Sequence, residues 1–139
     1  MSKTAVIYWS GTGNTEAMAN AVLEGAKEKG DAELFQVSDI SAADALGYDA
    51  LVLGCPAMGD EVLEESEFEP FFTELEKGIS GKNIGIFGSY GWGDGAWMRD
   101  WEERVKSAGA NLTGAVMAND APDENADAEC RELGRNTAV

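Results

Sequence analysis

A chain of 139 residues with 44% hydrophobic residues is long enough to bury one core and too apolar for disorder, so one domain over residues 1–139 is expected. No apolar run approaches the roughly 20 residues of a membrane helix, and a formal net charge of −16 argues against nucleic acid and anionic membrane partners, since both repel an acidic surface. Histidine is absent, and Cys55 and Cys130 have no metal-ligand or redox spacing, which argues against zinc and nucleophilic chemistry.

Residues 1–4 lead straight into a strand-like segment with no signal-peptide stretch, so a cytoplasmic location is expected. Ala5-Val6-Ile7-Tyr8-Trp9 is continuously apolar, as suits a central parallel strand covered on both faces. A glycine-rich turn over residues 10–15 follows. Met18, Val22 and Ala26, at four-residue spacing, then predict a helix that stops at Gly30. Residues 32–37 read as a less apolar strand nearer an edge, and residues 50–54 as a buried one. Phe68, Phe72 and Leu75 mark a helix in whose first turn Pro70 is tolerated. Residues 84–88 form the fourth strand. Trp97 or Met98, then Trp101, Val105 and Ala108, give the next helix, ending at Gly109. Residues 112–118 and 126–138 complete the alternation as a fifth strand and a last helix. The predicted fold is α/β: a doubly wound, five-stranded parallel sheet with helices on both faces. In such sheets a ligand lies beyond the carboxyl ends of the strands, at the switch in strand order.

The loops at those ends carry the unusual residues. Ser10-Gly11-Thr12-Gly13-Asn14-Thr15 lies between strand and helix, where glycines let backbone N–H groups converge and the helix adds its positive end. Hydroxyl and amide donors without a Lys or Arg suit a phosphate dianion. The Walker lysine and the third glycine of the dinucleotide fingerprint are both missing, and a plain tight turn is the alternative. In Ser89-Tyr90-Gly91-Trp92-Gly93-Asp94-Gly95, glycines flank an indole that can stack on a planar ligand or simply pack the loop. Pro56-Ala57-Met58-Gly59-Asp60-Glu61 offers a polarisable thioether, a conformationally free glycine and a carboxylate acceptor.

These three segments, together with Tyr8-Trp9 and Glu16, Leu53-Gly54-Cys55, and Phe87-Gly88, resemble the short-chain flavodoxins over essentially the full length. The resemblance implies the strand order 2-1-3-4-5 and non-covalent FMN. Its implied cofactor-binding set is Trp9, Ser10, Gly11, Thr12, Gly13, Asn14, Thr15, Ala57, Met58, Gly59, Asp60, Glu61, Ser89, Tyr90, Gly91, Trp92, Gly93 and Asn119. Residues 10–15 and Ser89 would hold the phosphate, Trp92 stack on the outer ring face and Met58 cover the inner one. Glu61 would accept from the ring N3–H, and Ala57 and Asn119 would meet the ribityl chain or ring edge. The peptide after Gly59 would flip with the redox state. The implied function is low-potential one-electron transfer, shuttling between semiquinone and hydroquinone, with no enzymatic activity. The expected form is a monomer serving ferredoxin-type redox enzymes with positively charged docking surfaces. A flavodoxin-like NAD(P)H-dependent quinone reductase is the alternative. This chain lacks the basic site that the nicotinamide phosphates would need, and Trp9 and Ser10 stand where a phosphoacceptor receiver domain needs acids after the first strand.

The charge is uneven. Of 26 acids, 13 lie between Lys29 and Lys77, where no cation occurs. Asp60, Glu61, Glu64, Glu65, Glu67, Glu69, Glu74 and Glu76 adjoin the expected flavin edge in sequence. They read either as a docking face for cationic partners or as a solvated surface.

Overall fold

The short apolar runs build the middle of a parallel sheet with spatial order β2 (Asp31–Gln36), β1 (Lys3–Tyr8), β3 (Ala50–Gly54), β4 (Asn83–Tyr90) and β5 (Asn111–Asn119). This computed structural model describes residues 3–11, 13–58, 62–91, 93 and 95–138. β3 is buried throughout and β1 from Thr4 onward, as expected of strands covered on both faces. β2 alternates between exposed and half-buried residues, in keeping with its place at an edge. Thr113 is the extra residue where the β4–β5 register shifts at Ile84/Gly85, and its hydroxyl bonds the Ile84 carbonyl.

Two layers of helix cover the sheet. On one face α1 (Asn14–Lys27) and α5 (Glu124–Thr137) bring Met18, Val22, Cys130 and Leu133 against Val6, Val52 and Phe87. On the other, α3 (Phe68–Leu75) and α4 (Ala96–Ser107) supply Phe68, Phe72, Leu75, Trp97, Trp101 and Val105. Trp97 and Trp101 are thus core residues, as their spacing predicts. Phe68 and Phe72 meet Trp101 edge-on, with ring centroids 5.4 and 5.9 Å away.

The helix boundaries depart from expectation for local reasons. Val37 leaves β2 and begins a 3-10 turn, Val37–Asp39, and α2 (Ala42–Ala45) is a single turn capped by the Ser41 hydroxyl. One turn has no hydrophobic period to read. α5 starts two residues before its predicted position because the Asp123 carboxylate caps it, accepting from Ala126 N at 2.8 Å.

α1 and α5 approach until their backbones touch. A Cβ on Gly134 would stand 2.1 Å from the Val22 carbonyl oxygen, and one on Gly25 1.8 Å from that of Arg131. Nothing larger than glycine fits this crossing.

Most of the described acids over residues 64–76 are committed within the fold, and Glu64 departs from the exposed acidic surface expected from sequence. Glu64 is not on the surface: it is 6% exposed. Its carboxylate accepts from the N–H groups of Ser66, Glu67 and Phe68 at 2.8–2.9 Å and from the Ser66 hydroxyl, filling the open start of α3. Burial pushes its carboxyl up, but the bonds from Ser66, Phe68 and Glu67 outweigh burial and hold it below the usual carboxylate range. Glu69 and Glu76 clasp Arg104, Glu74 pairs with Lys77, and Glu67 accepts from the Trp9 indole. Asp60 and Glu61 lie outside the described residues.

Arg104 joins α3 to α4: its guanidinium reaches Glu69 at 2.7 Å and Glu76 at 3.0 Å and lies over the Phe72 ring. Arg104→Met keeps the stem but leaves two carboxylates facing each other. Since all three groups are roughly one-third exposed, the expected cost is about 1–2 kcal/mol rather than that of a buried pair. Urea unfolding checks this. A midpoint equal to that of the parent would show that water replaces the clasp.

Candidate functional site

The strands deliver their carboxyl ends to one cleft of about 240 Å³. Trp9, Gly11 and Asn14 enter it after β1, and Pro56, Ala57 and Met58 after β3. Ser89, Tyr90 and Gly91 enter from β4 and Asp120 after β5. One end is polar and the walls are apolar, the usual constitution of a small-molecule site.

The polar end is built by residues 10–15. Gly13, at φ 96, caps α1 in a left-handed conformation that glycine adopts without strain, and no side chain caps the helix there. The Ser10 hydroxyl turns inward instead, accepting from Gly13 N at 3.0 Å and Glu16 N at 3.3 Å. The start of α1 thus presents its N–H groups to an oxygen acceptor, here the loop's own Ser10 hydroxyl. Thr15 and Ser89 are buried, and their hydroxyls, 3.1 Å apart, tie the loop to β4. The Tyr8 hydroxyl donates to the Glu16 carboxylate at 2.8 Å.

The apolar walls are fixed from behind. The Trp97 indole donates to the Cys55 carbonyl at 3.1 Å, and Ala57 N donates to the Ser89 carbonyl, joining the wall after β3 to β4. Met58 and Val62 exchange backbone bonds of 2.9 and 3.1 Å. Tyr90 packs on Trp97 with centroids 5.6 Å apart. Both cysteines are interior: burial pushes the Cys130 thiol up to about 12 and the Cys55 thiol higher still, so neither provides a ready thiolate.

Of the predicted site residues, Trp9, Gly11, Asn14, Ala57, Met58, Ser89, Tyr90 and Gly91 line the cleft, and Ser10, Gly13 and Thr15 build the loop at its polar end. Gly93 is exposed in the loop after β4. Asn119 instead lines a neighbouring groove. Thr12, Gly59, Asp60, Glu61 and Trp92 lie outside the described residues. Pro56, within the singled-out segment 56–61, and Asp120 also line the cleft, and sequence reasoning missed Asp120. Asp120 has φ 56, which an Asp tolerates better than most side chains, and its N–H bonds the Tyr90 carbonyl at 2.7 Å. The available signal was its place in an Asn-Asp turn directly after a strand.

A doubly wound sheet in this order, with a cation-free anion loop opening into an apolar cleft at the switch point, defines a mononucleotide-binding α/β protein. The family model described as Flavodoxin matches residues 6–134, and this chain belongs to the flavodoxin family. It is 52% identical over 136 residues to the flavodoxin of Clostridium beijerinckii, covering 96% of this chain and 97% of that protein. To the flavodoxin of Megasphaera elsdenii it is 49% identical over 134 residues, covering 96% of each. The solution structure of the two-electron reduced Megasphaera elsdenii flavodoxin superposes with a TM-score of 0.89 at 47% identity, covering 96% of this chain and 97% of that one. The chain is accordingly an FMN-binding electron carrier and not an enzyme, and the quinone reductase alternative is not favoured. Among the described residues no helix is long and apolar enough to cross a membrane.

Proposed function

We propose that the chain works as one FMN-binding domain that passes single electrons at low potential between redox enzymes, with the cofactor held in the cleft between the β1, β3 and β4 loops. The observation that carries this reading is the cleft at the carboxyl ends of β1, β3 and β4, with the start of α1 at its polar end and apolar walls beside it. FMN supplies a ring system able to accept and release one electron at a time. The chain's own residues do the rest. The first turn of α1 and the hydroxyls of Ser10, Thr15 and Ser89 hold a phosphate dianion without a counter-cation. Trp9, Ala57, Met58 and Tyr90 would exclude water from the ring, and the roles the family resemblance gives Trp92 and Glu61 are to stack on it and to accept from it.

Asp120 at the cleft and the net charge of −16 oppose further negative charge on the group bound there. One unit charge about 10 Å away at an effective dielectric of about 20 is worth on the order of 1.5 kcal/mol, or roughly 60 mV for one electron. Screening reduces this for exposed acids, so several acting together are needed to set a low potential. The same acids favour partners with cationic surfaces, and a monomer in the cytoplasm is the form this reading assigns.

Loading the apoprotein with FMN or riboflavin tests the phosphate end. FMN should bind tighter by on the order of a thousandfold, since riboflavin brings no anion to accept from the hydroxyls and N–H groups of the loop. Stepwise anaerobic reduction should then resolve into two spectrally distinct one-electron stages, the second at the lower potential. Equal affinity for the two flavins would remove the phosphate role from residues 10–15, and a single two-electron stage would sink the one-electron reading.

A further inference from the structure

β5 ends the sheet, and among the described residues no strand pairs with its outer edge; of the usual protections of a free edge it carries the bulge at Thr113. Its nine residues contain no charge and no proline. The opposite edge, β2, carries Asp31 and Glu33 in six residues. Along the free edge of β5 runs a groove walled by α5. Its two stretches, about 220 and 180 Å³, follow residues 113–116 and then 117–119, and they meet at Glu129. Asp123, Glu129 and Glu132 line it, and no lysine or arginine does. Arg135, on the same helix, is drawn toward α1 by Glu28 at 3.0 Å.

We propose that this groove accepts an extended, positively charged segment of a partner protein, which adds to the sheet as a sixth strand beside β5. An exposed edge offers main-chain donors and acceptors to an extended backbone, and side chains at every second position then fall on one face. On the α5 side those positions meet Glu129 and Glu132, so lysine or arginine there is matched and an acidic segment is repelled. A second copy of this chain is a poor occupant. It would bring the same acids to the same edge, on a body of charge −16. At its far end the groove opens beside Asn119 and Ala121, next to Asp120 in the cofactor cleft. A partner held along β5 is thereby led to that cleft.

The test uses the ¹⁵N-labelled, FMN-loaded protein and the acetylated, amidated peptide Lys-Val-Lys-Val-Lys-Val-Lys. Saturable shift changes should centre on residues 113–119 and the facing side of α5, with slowed amide exchange along β5. A peptide of the same charge with alternate backbone nitrogens methylated should lose this binding, because it cannot complete the ladder. The double variant Glu129→Gln, Glu132→Gln should weaken the parent peptide about fivefold, the effect of losing two exposed charge pairs, while FMN affinity stays unchanged. Equal binding of the methylated peptide, changes spread over every acidic surface, or no saturable binding would overturn the proposal. Sedimentation showing copies paired through β5 would overturn it in favour of a dimer.

Discussion

Glu64→Ala should cost about 3 kcal/mol of folding stability. The change strips acceptors from three backbone N–H groups at the start of α3, and a buried donor left without a partner costs about 1–3 kcal/mol. Glu64→Gln should lose less, since one oxygen remains to accept. The pH dependence follows from the lowered folded-state value of this carboxyl. Its contribution is fully present above the unfolded value of about 4.5 and is lost as pH falls through the folded one. The gap between parent and Glu64→Ala should therefore be constant near neutrality and close at acid pH. Urea midpoints at several pH values measure it. A gap that did not narrow at any acid pH where the protein stays folded would mean that the carboxylate is not what holds α3.

Gly134→Ala should destabilise by about 3 kcal/mol, although alanine is the better helix former by about 1 kcal/mol. The two effects oppose each other, and sterics wins on magnitude. The new methyl would stand 2.1 Å from the Val22 carbonyl oxygen and 2.8 Å from Ala26 N. Both are backbone atoms of α1, which no rotamer change can move aside, so α1 and α5 must separate and lose contacts along their shared face. Thermal unfolding reads the outcome. A rise in Tm would show that propensity dominates and that the crossing is looser than described.

The strands and long helices were legible because each repeats one signal several times. Ala5 to Tyr8 and Leu51 to Leu53 are apolar without interruption, and Met18, Val22 and Ala26 mark one helix face. The anion loop was legible for a different reason: its glycines and hydroxyls serve a local turn, and the turn lies within the motif itself. What sequence did not disclose depends on distant partners. Glu64 looks like its neighbours Glu65 and Glu67, and only the packing of Leu63 and Phe68 shows that it points inward. Gly25 and Gly134 read as weak points in two helices until the helices are crossed. Asp120 becomes a cleft residue only because its N–H is held by Tyr90 on the adjoining strand.

The α1–α5 crossing also bears on the order in which the molecule assembles. Arg135 and Glu28, which pair across it at 3.0 Å, are 107 residues apart in sequence. The opposite layer joins nearer neighbours, as where Arg104 meets Glu76 across 28 residues. Closing the longer loop carries the greater entropy cost before any contact offsets it, so the α2–α4 side is placed to organise first and the α1–α5 seam to zip last. Damage at the seam then belongs to the unfolding reaction. In a chevron plot Gly134→Ala should raise the unfolding rate and leave the folding limb nearly where it was, making this glycine pair a determinant of how long the native state persists more than of how quickly it is reached.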